Sequence, residues 1–386
     1  MKELPQTALL YQEAAKRILI LDGAMGTMFR TQELSEKDFR KGPFADAKKD
    51  LFSVKDILNL TKPSAPAAIH DAYLAAGADI IETNTFNANA VALAEFGLAR
   101  FAYDINKAGA QLARACANKF AAKDKRPRFV AGSMGPTGRT ASLSPDPDDP
   151  AARNITFDEL REAYYFASLG LLDGGADLVL IETVFDTLNA KAAVMGVAQA
   201  AKARGVSVPV MLSGTVSDAS GRMLAGQCPQ AFLQSLAHTG NLFSIGFNCA
   251  LGAAEMQPHI RELSERTGVF TSAYPNAGLP DAEGNYTQTP GIMAEILHSF
   301  AEEGIVNILG GCCGTSPAHI QAIAEAVKGM PPRKAPPVKR YFRLAGLDVL
   351  ELPKTGSFTD IGQSPSAKSK RRFKIFAYFS KVLSAY

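Results

Sequence analysis

Eight short apolar runs recur along this chain, each closing on small or polar residues, and the repeat sharply restricts the folds open to it. They are Ile18–Leu21, Ala78–Ile81, Phe129–Ala131, Leu178–Ile181, Val208–Leu212, Phe243–Phe247, Val269–Ala273 and Val306–Leu309. The runs are continuous rather than alternating, the pattern of parallel strands buried on both faces. Helical periodicity fills several intervals: Pro66–Ala76, Thr156–Gly174, Asp186–Gly205, Pro229–Gly240, Gly252–Thr267 and Pro290–Gly304. Thr156 with Glu159 three residues on is a capping-box signature. Repeated βα units predict an α/β fold, a (β/α)8 TIM barrel, with its chemistry at the carboxyl ends of the strands. A doubly wound sheet is the alternative. It would not naturally bring the ends of runs six and eight beside the end of run one.

The barrel is expected to occupy residues 1–328. Residues 329–340 contain Met330-Pro331-Pro332-Arg333-Lys334-Ala335-Pro336-Pro337 and read as a stiff Pro-rich linker. Residues 341–386 are short, basic and without a core of their own. Net charge is +3, yet Lys368, Lys370, Arg371, Arg372, Lys374 and Lys381 all lie near the carboxyl end, leaving the rest at about −3. Nothing suggests a nucleic-acid footprint on the main body. The tail interleaves Phe373, Phe376, Tyr378 and Phe379 with that charge, so it reads as a remnant or as a docking or membrane-surface helix.

Met1 to Arg17 mixes both charge signs and does not read as a signal peptide. No stretch approaches the roughly 18 apolar residues of a membrane span. Five cysteines, two of them adjacent, do not form a disulfide framework, and a reducing cytoplasm is the expected compartment.

Cys249 ends run six and Cys312-Cys313 end run eight, between Gly311 and Gly314. Neighbouring side chains on a strand face opposite ways, so two adjacent sulfurs converge only where the strand has ended and the chain turns. Buried inert thiols or a vicinal-dithiol redox pair are the competing readings. Three thiols at two barrel-neighbouring strand ends point instead to zinc, with a fourth position left open for substrate. Cys116 and Cys228, in helical or loop context, read as packing residues. His70, His259, His298 and His319 fall on helices, and no histidine is placed to join the metal.

Asp22 and Glu182 end runs one and four. Either alone reads equally well as a structural ion pair or a solvated rim. Together with the thiols they suggest a place for a substrate ammonium. The turn Gly23 to Gly26 offers bare backbone N–H groups suited to a carboxylate. An ammonium site, a carboxylate site and a metal with an open position together describe an amino acid bearing a thiol.

Five motifs carry a family resemblance: Asp22-Gly23-Ala24-Met25-Gly26-Thr27, Glu82-Thr83-Asn84-Thr85-Phe86, Ile181-Glu182-Thr183, Gly246-Phe247-Asn248-Cys249 and Gly310-Gly311-Cys312-Cys313-Gly314. From about Arg17 to Val327 the chain resembles the homocysteine S-methyltransferases. Asn154-Ile155-Thr156-Phe157 and Ile181 to Ala192 are similar to the amino-terminal module of cobalamin-dependent methionine synthases in particular.

The resemblance implies methyl transfer to L-homocysteine, giving L-methionine. It implies Zn2+ on Cys249, Cys312 and Cys313, with Asn276 as a fourth ligand before substrate arrives. It places Asp22 and Glu182 on the amino group, and the substrate contacts extend to Gly23, Glu82, Thr83 and Asn248. Coordination would deprotonate the homocysteine thiol, whose free pKa of about 8.5 leaves it mostly protonated at neutral pH. Methylcobalamin is the expected methyl donor, carried by a separate cobalamin- or folate-binding protein in trans. Free methylcobalamin, a sulfonium or betaine-type donor, and a truncated gene product are the alternatives, as is a non-catalytic zinc-bearing interaction module. Ser357 to Gly362 is weakly similar to the opening of a folate domain.

Overall fold

The computed structural model describes residues 1–217, 220–338 and 342–352. Eight parallel strands form one sheet: β1 Leu19–Ile20, β2 Ile80–Glu82, β3 Phe129–Met134, β4 Leu178–Val184, β5 Val210–Gly214, β6 Leu242–Gly252, β7 Phe270–Asn276 and β8 Ile308–Leu309. Their order around the sheet is β1-β8-β7-β6-β5-β4-β3-β2. A parallel bridge between Leu21 and Ile80 joins the two end strands, and the Asp22 N–H donates to the Ile80 carbonyl at 3.0 Å. The predicted barrel is thus present and nearly closed.

The helices outside it are α1 Ser64–Ala75, α2 Ala102–Asp124, α3 Phe157–Gly174, α4 Thr187–Ala203, α5 Pro229–Leu236, α6 Ala253–Ser264, α7 Pro290–Glu302 and α8 Pro317–Ala326. The Thr156–Glu159 capping box opens α3. Asp186 caps α4 by accepting from the Leu188 N–H at 2.8 Å. Each exchange satisfies backbone donors that a helix start leaves unpaired.

The continuous apolar runs are explained by two cores. Leu19, Leu21, Ile80, Phe129, Ala131, Leu178, Leu180 and Met211 fill the barrel interior. Their neighbours Ile18, Ile20, Ile81, Val130, Val179, Ile181 and Leu212 pack outward with the helices. A period of two along each strand therefore serves apolar surroundings on both sides. The amino-terminal helix Thr7–Lys16 places the fully buried Leu10 and Ala14 in the interior cluster, closing the end opposite the functional residues. Trimming Leu10 to alanine would cost about 2–5 kcal/mol. At that end the buried Asp79 carboxylate holds Arg17 at 2.7 Å, Arg126 at 2.9 Å and the Ile20 N–H at 3.0 Å.

Arg333, in the Pro-rich stretch, is only 5% exposed. Its backbone N–H donates to Val306, and its guanidinium reaches the carbonyls of Ser264, Thr267 and Val269. Among the described residues, those up to 338 together with 344–349 form one compact unit. The tail residues Lys368 to Tyr386 and the segment Ser357 to Gly362 lie outside the described residues. No helix among the described residues is long and apolar enough to cross a membrane.

Candidate active site

The inward-facing residues change character within one step of the strand period. Two residues beyond Ile80, Ala131, Leu180 and Met211 stand Glu82, Ser133, Glu182 and Ser213, and with Asn248 they make a polar layer over the apolar plug. Above it opens a cavity of about 630 Å³, walled by both cysteine motifs, the carboxylates and the Gly23–Gly26 turn.

Cys249 reaches this cavity through a break in strand geometry. Run six is expected to end at Cys249, but β6 continues to Gly252 with its register against β7 shifted after Asn248. Cys249 and Ala250 both adopt left-handed backbone, at φ 60° and 56°. Non-glycine residues rarely do so, and such strain of about 1–3 kcal/mol persists only where the surroundings impose it. Here it brings the Cys249 Sγ to 3.8 Å from that of Cys313.

Cys312 and Cys313 lie beyond the end of β8, in the turn that adjacent sulfurs require. The Cys312 N–H donates to the Pro275 carbonyl at 2.8 Å, and the Cys313 N–H donates to the Asn276 Oδ1 at 3.1 Å. The three sulfurs lie within 4.8 Å of one another. A tetrahedral zinc with Zn–S bonds of about 2.3 Å holds its sulfurs about 3.8 Å apart, so the donor set fits that ion in type and spacing.

Hydrogen bonds from Cys249 and Cys312 draw the Cys313 thiol down to about 3, whereas hydrogen bonding to Cys249 and Cys313, together with burial, pushes Cys312 well above the usual thiol range. One charge thus suffices for the thiol cluster, and three thiolates at this spacing call for a cation.

Facing the sulfurs are three carboxylates. Asp22 Oδ2 accepts the Glu82 N–H at 3.1 Å, while its buried Oδ1 has no partner among the described residues. Glu182 accepts from the Ser133 hydroxyl. Burial is the largest cause of upward shifts in all three acids: Glu182 rises to about 7, and Asp22 and Glu82 rise well above the carboxylate range. Their mutual repulsion adds to the effect on Asp22 and Glu82. Such a set is stabilised by any cation that enters.

The remaining expected site residues play more local parts. Asn248 is fully buried: its Oδ1 accepts from the Thr183 N–H and the Ser213 hydroxyl, and its Nδ2 lies 3.9 Å from the Cys312 sulfur. The Thr83 hydroxyl meets that of Thr85 and accepts the Ser133 N–H at 2.9 Å, tying β2 to β3. At Gly23 a Cβ would lie 2.7 Å from the Thr315 Oγ1 and 2.9 Å from the Tyr73 hydroxyl, so only glycine fits. Asn276 is buried, with its amide oxygen engaged by Cys313. Cys116 is buried in α2 and Cys228 precedes α5, both away from the sulfur cluster. His70, His259, His298 and His319 are on α1, α6, α7 and α8. None of these four belongs to the cluster.

Sequence reasoning missed Ser133, Ser213 and Tyr286. The two serines were legible as the next inward positions of their strands. Tyr286 sits in the loop after β7, against Gly314, and lines the same cavity as Cys313. No local pattern announces that contact.

A family model described as homocysteine S-methyltransferase matches residues 19–327. This chain belongs to the homocysteine S-methyltransferase family. Among solved structures it is similar to the homocysteine methyltransferase MmuM of Escherichia coli. The metallated form matches at TM-score 0.62 and 23% identity, over 83% of this chain and 99% of that one. The oxidized form matches at TM-score 0.63 and 22% identity over the same shares. At that identity the likeness speaks to the fold, which is the barrel described above. The family match adds what the fold does not: as a homocysteine S-methyltransferase, this chain is an enzyme whose substrate is homocysteine.

Proposed function

We propose that the chain transfers a methyl group to the thiol of L-homocysteine, giving L-methionine, at a zinc held by Cys249, Cys312 and Cys313. The observation that carries this reading is the juxtaposition, across one cavity, of three sulfurs at zinc spacing with the buried carboxylates of Asp22 and Glu182 and the half-buried one of Glu82. Zinc, when bound, supplies a Lewis acid that keeps the substrate sulfur as a thiolate at neutral pH. That solved MmuM structures include a metallated form supports the assignment.

The residues of the chain do the rest. Asp22 and Glu182, with Glu82 beside them, receive the substrate ammonium, which gives the orphaned Asp22 Oδ1 a donor. The backbone N–H groups of the Gly23–Gly26 turn take the carboxylate. Asn248 and Thr83 hold the strand ends in place, and Asn276, whose Oδ1 accepts the Cys313 N–H, would serve as a fourth ligand to the metal before substrate arrives. Anchoring both ends of the amino acid fixes its sulfur at the cysteine cluster, which lowers the entropic part of the barrier. The donor reading is methylcobalamin, supplied by a separate cobalamin- or folate-binding protein.

The test begins with metal content and with homocysteine added to cobalt-substituted protein. About one metal per chain and a new thiolate–cobalt absorption are expected, followed by homocysteine-dependent demethylation of methylcobalamin. Protein that holds zinc yet gives no thiolate signal with homocysteine would rule out substrate activation at this site. Turnover with S-methylmethionine or betaine, and none with methylcobalamin, would reassign the donor alone.

A further inference from the structure

Inside a barrel, a polar side-chain atom without a partner costs stability, so each one that is kept calls for a reason. Among the described residues, two buried side-chain atoms without a hydrogen-bond partner belong to residues that line the cavity: Asp22 Oδ1 and the Tyr274 hydroxyl. Asp22 already has a role at the ammonium end of the proposed site. Tyr274 has none. Its neighbours in the polar layer are engaged with one another. Ser133 donates to Glu182, Ser213 donates to the Asn248 Oδ1 at 2.7 Å, and the Asn248 Nδ2 donates to the Thr183 Oγ1 at 2.9 Å.

Strand order fixes where this side chain stands. β7 runs between β6 and β8, the strands that carry Cys249 and lead into Cys312 and Cys313. Tyr274 pairs in register with Asn248, belongs to the interior cluster, and is only 1% exposed. Cys312 packs against that same cluster, and the residue after the tyrosine, Pro275, accepts the Cys312 N–H at 2.8 Å. The tyrosine is therefore rooted on the sulfur side of the cavity. Around the nearly closed barrel, β7 lies four places from β3 in either direction. The strand it faces thus carries Ser133, and the two strands beside that one carry Glu82 and Glu182. Pointing inward from β7, Tyr274 presents an apolar ring and then a hydroxyl toward the carboxylate side.

Homocysteine has the same polarity: a sulfur, two methylene groups, then an ammonium and a carboxylate. We propose that Tyr274 is a substrate-binding and specificity-determining residue, a role that rests on the reading of the cavity as the homocysteine site. Its ring supports the methylene groups, and its hydroxyl oxygen accepts a hydrogen bond from the substrate ammonium. An ammonium brings three N–H donors and no acceptor, so it serves the Asp22 Oδ1 and the tyrosine oxygen together. The substrate carboxylate is unsuited to this place, because Glu82 and Glu182 would repel it. A hydrogen bond to an ammonium is charge-assisted and roughly twice as strong as one between neutral groups. A thiol lacking the amino group leaves the hydroxyl unpaired and is selected against.

The experiment titrates cobalt-substituted wild type and Tyr274→Phe with two thiols and follows the thiolate–cobalt absorption. One is L-homocysteine; the other, 4-mercaptobutyrate, keeps the sulfur, the chain and the carboxylate but lacks the amino group. Tyr274→Phe keeps the ring and removes only the hydroxyl. Homocysteine is expected to bind the variant about tenfold more weakly, the loss of one hydrogen bond to a charged group, while 4-mercaptobutyrate binds both proteins alike. The zinc-loaded variant without substrate should melt at or above the wild-type temperature, because the hydroxyl has no protein partner to lose. Ser272→Ala removes the unpartnered hydroxyl one inward step below, which does not line the cavity, and should leave both affinities unchanged. The proposal is wrong if Tyr274→Phe binds homocysteine as well as wild type does, if it weakens both thiols equally, or if Ser272→Ala has the same effect. A lower melting temperature of Tyr274→Phe would also overturn it, by revealing a structural partner for the hydroxyl. Any of these results leaves the homocysteine reading standing, since that reading fails instead when wild-type protein gives no thiolate–cobalt signal with homocysteine.

Discussion

Asn248 and Thr183 clasp each other: the Thr183 N–H donates to the Asn248 Oδ1 at 3.0 Å, and the Asn248 Nδ2 donates to the Thr183 Oγ1 at 2.9 Å. The clasp joins the end of β6 to the end of β4 and holds Thr183 in left-handed backbone at φ 54°. Glu182 and Cys249, on opposite sides of the proposed substrate, each lie one residue from it. The two halves of the site are therefore set by one amide.

Replacing Asn248 with alanine should damage both halves. It leaves the Thr183 N–H and the Ser213 hydroxyl without their acceptor in a buried place, at about 1–3 kcal/mol for each unsatisfied group. A loss of about 3 kcal/mol in urea unfolding is expected, together with weaker homocysteine binding. Asn248→Ala at wild-type stability would show that the clasp does not hold the site.

Glu182 predicts a pH dependence. Its pKa rises to about 7 in the folded protein, chiefly through burial, against an ordinary value near 4.3 for the unfolded chain. Between those limits the folded state binds more protons than the unfolded one, so stability falls as pH rises from about 4 to 7 and levels off above. Binding of an ammonium group runs the other way, because only the carboxylate attracts it. Homocysteine affinity should climb between about pH 6 and 8, and Glu182→Gln should remove that part of the climb while leaving any contribution from the substrate thiol. A pH profile identical in wild type and Glu182→Gln would exclude the carboxylate from substrate binding.

Zinc should stabilise the fold as well as activate substrate. At zinc concentrations about a thousandfold above its dissociation constant, linkage gives about 4 kcal/mol. Chelator-treated protein should therefore melt well below zinc-replete protein. Cys312→Ala should melt near the chelated value whether or not zinc is added. A full zinc-dependent rise in melting temperature with Cys312→Ala would mean the metal sits elsewhere.

The barrel and the cysteine cluster were legible because each follows from a local rule. Continuous apolar runs mean two buried faces, and the separate inner and outer clusters of Leu19 and Ile20, or Leu180 and Ile181, bear this out. Adjacent cysteines between glycines mean a turn, and Cys312 and Cys313 lie in one. Three elements were not legible. The continuation of β6 through two left-handed residues depends on tertiary contacts such as the Asn248 clasp, and Cys249-Ala250 carries no glycine to signal it. The amino-terminal helix is not legible because its purpose, plugging the barrel with Leu10 and Ala14, exists only once the barrel has formed. Tyr286 packs on Gly314 from a loop whose path no periodicity describes.

Arg333 tests where the barrel's stabilising contacts end. From sequence, Met330 to Pro337 reads as an extended linker, and the chain there is indeed without helix or strand. Yet the Arg333 guanidinium is buried against the carbonyls of Ser264, the last residue of α6, of Thr267 just past it, and of Val269 just before β7. A cation there satisfies carbonyls that the helix end leaves unpaired and opposes the negative end of its dipole. Burial lowers its pKa to about 10, which still leaves it charged at neutral pH. Arg333→Ala should destabilise the protein by about 3 kcal/mol, since it strips several charge-assisted hydrogen bonds from buried acceptors. A chain ending at residue 328 should lose about as much, whereas one ending at residue 339 should lose far less, because exposed contacts such as the 3.0 Å Arg222–Asp348 pair contribute little. Homocysteine affinity should stay unchanged in all three, as Arg333 lies at the end of the barrel away from the cavity. Equal stability of the chains ending at 328 and 339 would show that the Pro-rich stretch is a linker in energetic terms and that the Arg333 contacts contribute nothing to the fold.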